Sequence, residues 1–320
     1  TLGAYLVTIG ELTMGALIAC SIIGGRALSP LAQVPSLIVQ WKQAKIALDV
    51  LDNIMKLPGE RDPSVKQIVP DHCKGQLQLE EVSFGYVENF PAFAAKSLNI
   101  NAGERVAILG PVGGGKSTLL KMLAGLIAPQ AGRVFIDGVD TQHLAPEFVR
   151  EQVGYLPQDV RLFSGSLKEN LLLGLPLMSD SSILKACQST GLDKLIKGHP
   201  NGLDLPISEG GRGLSGGQRQ LVGPTRLLLA KPSILMLDEP TASMDGFTEG
   251  WVMNHLFNEI PKDHTIIVVT HKTAILPHVD RVIVVEGGQL SMDGPRDKVI
   301  QAMKQRAEQM AAKRQGEGNA

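Results

Sequence analysis

Two hydrophobic patterns divide the chain. From Leu2 to Ile23 apolar residues run almost unbroken, with Glu11 the only charge, and after Arg26 the run continues to Val39 before turning amphipathic near Gln40. This predicts a short hydrophobic piece over 2–9, a tight turn near Gly10–Glu11 and then a long helix. A bilayer-spanning helix needs about 20 apolar residues. Leu12 to Val39 supplies them if Arg26 faces protein or water. The helix is expected to leave the membrane near Trp41 and to continue as a polar cytoplasmic extension towards Leu57. Its length exceeds that of ordinary globular helices, and Gly and Pro recur in it as they do in membrane helices. A buried core helix of a soluble domain is the other reading. "KLPGERDPSVKQIVPDHCKG" (56–75) is punctuated by prolines and glycines among charges, which predicts a linker.

From Gln76 the second pattern begins. "QLQLEEVSF" (76–84) alternates as a strand, and "RVAILG" (105–110), "SILMLD" (233–238), "HTIIVVTH" (264–271) and "DRVIVVEGG" (280–288) are short apolar strand signals. "GKSTLLKMLAGL" and "EGWVMNHLFNEI" (249–260) read as helices between them. Near-continuous apolar strands alternating with helices predict an α/β fold with a mainly parallel sheet covered on both faces. Chemistry is then expected at the carboxyl ends of the strands.

Bulk properties narrow the classes. A chain of 320 residues holds one large domain or two modest ones. A formal net charge of −1 argues against nucleic acid as the main partner. Cys20, Cys73 and Cys187 match no metal-ligand spacing and read as reduced thiols in a cytoplasmic setting. The opening residues lack the basic region of a signal peptide.

The chemistry sits in three stretches. "GPVGGGKST" follows a strand and opens a helix, a full G-x-x-x-x-G-K-S match. Gly110, Gly113, Gly114 and Gly115 let backbone N–H groups curl around phosphate oxygens, and Thr118 lies in the first helical turn behind them. Lys116 is expected to reach the β- and γ-phosphates of a nucleotide and Ser117 to bind Mg²⁺. "ILMLDE" delivers Asp238 towards that metal and Glu239 towards an attacking water. "LSGGQ" (214–218) is a second anion-binding helix start, which the first cradle leaves without a role on the same nucleotide. Ser215, Gly217 and Gln218 therefore fit as a lid on a nucleotide held by another copy, in a head-to-tail dimer enclosing two ATP molecules.

This order of motifs resembles the nucleotide-binding domain of an ATP-binding cassette (ABC) transporter over about residues 76–300. The implied fold is a P-loop ATPase domain, mainly parallel, with an antiparallel β subdomain and a helical subdomain, preceded by a long transmembrane helix. The resemblance implies that Tyr86 stacks on adenine and that Gln158, in "VGYLPQD", touches Mg²⁺ and the attacking water. It implies further that Asp245, in "ASMD", belongs to the D-loop and that His271, in "VVTH", contacts the γ-phosphate. "SLKEN" (166–170) is similar to a segment that follows the Q-loop in exporters. Pro224 departs from the pattern, because a proline inside the helix after LSGGQ predicts a kink or strain.

Residues 1–57 are expected to be the end of the fifth and the whole sixth membrane helix of an exporter. Residues 58–75 would be a linker, 76–304 the ATPase domain and 305–320 a polar tail. "GGRALSPLAQVPSLIVQWKQAKIALDVLD" and "HPNGLDLPISEGGRGLSGGQRQ" resemble bacterial type I secretion ATPases. That resemblance implies a multi-pass protein of the bacterial inner membrane, its ATPase domain in the cytoplasm, exporting a polypeptide through a periplasmic adaptor and an outer-membrane channel. Lipid or drug export is the alternative within exporters. A soluble ABC ATPase clamping nucleic acid is the alternative of a different class, and the hydrophobic amino-terminal segment speaks against it.

Overall fold

The computed structural model describes residues 2–57, 59–60, 66–87 and 90–317. In chain order the elements begin with α1 (Leu2–Thr8), α2 (Met14–Met55), β1 (Leu77–Phe84), β2 (Phe93–Ile100), β3 (Arg105–Leu109), α3 (Lys116–Leu123), β4 (Ala131–Ile136) and β5 (Val139–Asp140). Next come α4 (Pro146–Gln152), β6 (Val153–Leu156), β7 (Gly165–Ser166), α5 (Leu167–Leu171), α6 (Asp180–Thr190), α7 (Asp193–Lys197) and β8 (Pro206–Ile207). Then follow α8 (Gly216–Ala230), β9 (Ile234–Asp238), α9 (Gly246–Glu259), β10 (Thr265–Val269), β11 (Arg281–Glu286), β12 (Gln289–Pro295) and α10 (Arg296–Glu317). They fall into two compact units, one holding α1 and α2 and the other everything from β1 onwards.

In the first unit, Thr13 caps α2 by accepting the Ala16 N–H at 3.2 Å. The helix runs 42 residues, about 60 Å at 1.5 Å per residue. Pro30 and Pro35 lie inside it and leave the carbonyls of Arg26 and Leu31 without their usual helical donors. No described residue of α2 is buried. Among the described residues, α2 is the one helix long and apolar enough to cross a membrane.

The second unit is built on a six-stranded sheet of order β12-β11-β3-β10-β9-β6, in which β11, β3, β10, β9 and β6 are parallel and β12 is antiparallel at the edge. Alternate residues of its central strands serve different faces. Val106, Ile108, Ile234, Met236, Ile267 and Val269 pack with Leu119, Leu120 and Leu123 of α3. Ala107, Leu235, Leu237, Ile266 and Val268 pack with Met253, Leu256 and Phe257 of α9. With both faces covered, the strands are apolar throughout, as the sequence pattern predicts.

A four-stranded antiparallel sheet, β2-β1-β4-β5, shares the α3 side of the core through Leu77, Leu79 and Phe93. A third cluster gathers α5, α6 and α8 around Leu167, Ile183, Cys187 and Val222. Helix α8 continues through the buried Pro224 to Ala230. Beside that proline, the Thr225 hydroxyl donates to Leu221 O at 2.8 Å and meets the Thr190 hydroxyl of α6 at 2.7 Å. Nothing in the structure explains why a proline stands there.

Of the linker expected over 58–75, residues 58 and 61–65 lie outside the described residues. Its later part is tied down. Ile68 forms a parallel bridge with Leu144, and the Asp137 carboxylate accepts the N–H groups of Lys74, Gly75 and Gln76. The polar tail expected over 305–320 continues α10 as far as Glu317, and residues 318–320 lie outside the described residues. All three cysteines are free thiols.

Candidate functional site

The carboxyl ends of β3, β10, β9 and β6 stand side by side, because the four strands are parallel neighbours. β3 leads into the glycine loop 110–115, β9 ends at Asp238 and is followed by Glu239, β10 leads to Thr270 and His271, and Gln158 follows β6. The sheet thus assembles four stretches that the sequence keeps far apart.

The loop needs its glycines for two separate reasons. Gly110 (φ 147°) lies against the Val285 carbonyl, where a Cβ would collide, and a Cβ on Gly115 (φ 98°) would lie 2.6 Å from Ala92 O. Gly115 caps α3 without any side-chain hydrogen bond, which leaves the first helical N–H groups for an anion. Lys116 is 7% exposed, and its Nζ donates to Gly110 O at 3.0 Å and to Pro111 O at 2.8 Å. The ammonium is folded back into its own loop.

Asp238 is 5% exposed. Burial pushes its carboxyl up and the neighbouring Glu239 adds to the effect, while hydrogen bonds from Ser117 and Tyr155 oppose it. The Tyr155 hydroxyl stands 3.4 Å from Asp238 Oδ2, and burial together with Asp238 pushes the phenol up, so Tyr155 stays a donor. A buried carboxylate beside an exposed serine hydroxyl suits a hard divalent cation such as Mg²⁺. Among the described residues no group of three or more His, Cys, Asp or Glu side chains could hold a metal. A cation here would therefore draw most of its ligands from phosphate oxygens and water.

Glu239 is the pivot. Its backbone is left-handed (φ 47°), a conformation that costs a non-glycine residue roughly 1–3 kcal/mol. Its N–H donates to Val269 O at 2.9 Å, and its carbonyl accepts Gln220 Nε2 at 3.3 Å. The side chain is held from two sides. Gln158 Nε2 donates to Oε2 at 3.2 Å, and His271 Nδ1 lies 3.4 Å from Oε1. Gln158, Glu239 and His271, expected from three separate motifs, are in direct contact.

Tyr86 is largely exposed, edge-on to Phe84 with ring centroids 5.0 Å apart, and near enough to contribute to the upward push on Tyr155. Gly113 and Ser117 are exposed, while Gly114 and Thr118 are buried beneath the loop. Ser215 caps α8 in a capping box: its hydroxyl accepts the Gln218 N–H at 3.1 Å, and Gln218 Oε1 accepts the Ser215 N–H at 2.9 Å. Asp245 caps α9 by accepting the Phe247 and Thr248 N–H groups and the Thr248 hydroxyl. No hydrogen bond among the described residues joins Ser215, Gly217, Gln218 or Asp245 to the phosphate loop.

Sequence reasoning missed the scaffold around Glu239. Gln220 was visible only as a polar residue on a helix, and Tyr155 only as a neighbour of the Q-loop. Lys272 Nζ donates to Thr241 O at 2.8 Å and pairs with Glu249 Oε2 at 3.0 Å. The buried Glu249 accepts the Thr241 hydroxyl at 2.9 Å. Lys272 and Glu249 thus hold the loop that leads from Glu239 to Asp245. Its one sequence signal was a basic residue directly after His271.

The profile of the ABC transporter family matches residues 93–242. The chain is 31% identical over 300 residues to the alpha-hemolysin translocation ATP-binding protein HlyB of Escherichia coli O157:H7, and 33% identical over 300 residues to the toxin RTX-I translocation ATP-binding protein of Actinobacillus pleuropneumoniae. Each match covers 93% of this chain and 42% of the relative, so the chain spans well under half the length of these proteins. A solved bacterial Atm1-family ABC exporter with ATP bound is similar in structure, with a TM-score of 0.78 at 27% identity, over 98% of this chain and 54% of that one. Residues 93–242 thus carry an ABC transporter domain, and over most of its length the chain resembles toxin-translocation ATP-binding proteins and a bacterial ABC exporter.

Proposed function

We propose that the chain is the ATP-hydrolysing motor of a membrane exporter. The observation that carries this reading is the grip of Gln158 and His271 on Glu239, beside the phosphate loop at the carboxyl edge of the sheet. Residues 1–57 belong to the transmembrane domain, 58–75 to a linker, 76–304 to the ATPase domain and 305–320 to a polar tail. The long apolar α2 supports anchorage in a lipid bilayer. Its setting is the bacterial inner membrane, multi-pass, with the ATPase domain in the cytoplasm.

The glycines 110–115 and the start of α3 bind the phosphates, and Tyr86 offers a ring face to adenine. Lys116 leaves its loop carbonyls for the β- and γ-phosphates, where an anion compensates the same charge more strongly. Ser117, Asp238 and Gln158 would hold Mg²⁺, which supplies charge neutralisation at the phosphate oxygens. Glu239 accepts a proton from the attacking water, and His271 steadies charge on the γ-phosphate. Two copies meet head to tail, so that Ser215, Gly217 and Gln218 of each complete the other's pocket and Asp245 lies across the seam.

Polypeptide export, with a periplasmic adaptor and an outer-membrane channel, is supported by relatives whose names describe toxin translocation. Lipid or drug export is the second reading, because the membrane segment and cassette share their shape with an exporter of the Atm1 family. Glu239→Gln tests the core of the proposal. ATP binding should persist while turnover drops at least 100-fold and an ATP-bound dimer accumulates. Turnover at the parent rate would remove Glu239 as the base.

A further inference from the structure

Gln220 is a polar side chain with 4% exposure on a helix whose other buried residues, Thr225 apart, are apolar or glycine. Its Oε1 accepts the Ser243 N–H at 2.7 Å, and its Nε2 donates to Glu239 O at 3.3 Å. The orientation of the amide follows from chemistry, since a backbone N–H only donates and a carbonyl only accepts. Both bonds land on one five-residue segment, which begins at Glu239 and runs on towards Asp245.

Glu239 is thereby held at both peptide faces, its N–H by Val269 of β10 and its carbonyl by Gln220 together with the Ala242 N–H, which donates to it at 3.1 Å. Left-handed backbone at a non-glycine residue persists only while its surroundings over-determine it. The middle of the segment is secured separately, by Lys272 and Glu249 on Thr241. Loss of Gln220 therefore removes one of the two donors on the Glu239 carbonyl and the acceptor for the Ser243 N–H, while the Thr241 anchor stays in place. Gln220 also lies on α8, the helix that Ser215 caps.

We propose that Gln220 is a positioning residue that ties the backbone of Glu239 to the signature helix, so that the placement of the Ser215 end of α8 sets the aim of the carboxylate. This rests on the reading of Glu239 as the base. With the carbonyl held by the local Ala242 N–H alone, the segment loses its tie to α8, and relaxation of Glu239 towards negative φ turns its side chain away from Gln158 and His271.

The test measures steady-state ATPase activity and ATP binding of the full chain in lipid, for the parent, Gln220→Met, Gln220→Glu and Glu239→Gln. Methionine keeps the length and loses both bonds. Glutamate keeps the acceptor for Ser243 and loses the donor to Glu239, and it gives the same reading should the apolar variant not fold. Both Gln220 variants should lose at least tenfold in kcat while KM for ATP and ATP affinity stay within about threefold. Parent kcat in either variant overturns the inference, as does a loss of ATP affinity as large as the loss of kcat, which marks a role in the fold of the pocket. Parent kcat at Gln220 with an inactive Glu239→Gln removes the inference and leaves the proposed function standing. An active Glu239→Gln removes that function itself.

Discussion

The glycine-flanked starts of α3 and α8 are finished differently. At α3 the cap is Gly115, without a side-chain partner, and the lysine beside it is folded onto its own loop carbonyls. At α8 the cap is Ser215, and Ser215 and Gln218 satisfy each other's N–H groups. The first leaves donors open to a phosphate. The second ties the Ser215 and Gln218 N–H groups to each other's side chains. The difference supports the proposed division between a cradle that binds nucleotide in one chain and a lid that acts on a second copy.

The largest expected effect falls on the first helix start. Lys116→Ala should weaken ATP binding about 10–100-fold, since a hydrogen bond to a charged group contributes roughly 1.5–3 kcal/mol. Equilibrium binding to the isolated chain measures it. Ser215→Arg should leave that binding within about twofold and abolish ATP-driven pairing, read by crosslinking or sedimentation. It should also cost about 1 kcal/mol as a lost cap, a drop of a few degrees in Tm. A loss of ATP binding like that of Lys116→Ala would mean that both helix starts serve one nucleotide, and the contrast between them would collapse.

The smallest effect concerns Asp238, on the first side of the comparison. Burial raises its carboxyl above the unfolded value, so folding favours the protonated form. That contribution is fully present below the unfolded pKa and is lost as pH rises through the folded one. At neutral pH the charge is a cost that the proposed Mg²⁺ would offset. Asp238→Asn should raise the Tm of the nucleotide-free chain at neutral pH and should lose any further rise on adding Mg²⁺ with ATP. A lower Tm at neutral pH would show that the hydrogen bonds from Ser117 and Tyr155 outweigh the burial of the charge.

Much of the site was legible because its chemistry is local. The glycines, Lys116 and Ser117 are contiguous and sit between a strand and a helix that each announce themselves by periodicity. Asp238 and Glu239 close an apolar strand. What was not legible was how the stretches hold one another. Gln158, Glu239 and His271 come from the ends of different strands, and their contact depends on the sheet order. Gln220, Glu249 and Lys272 carry no motif of their own, and their importance lies wholly in which backbone groups they reach.

The amino-acid sequence by itself determined the elements: a long apolar helix, a sheet of short buried strands, a phosphate-binding turn and the identity of its charged neighbours. These follow from periodicity, side-chain chemistry and the backbone freedom of glycine, all of which act over a few residues. Tertiary structure alone decided that Glu239 adopts a left-handed backbone and which carboxylate is buried, whereas the closure of the second helix start is a local capping box between Ser215 and Gln218. The first two outcomes rest on hydrogen bonds and desolvation between residues far apart in the chain, which exist only once the parallel sheet has set its strands in order.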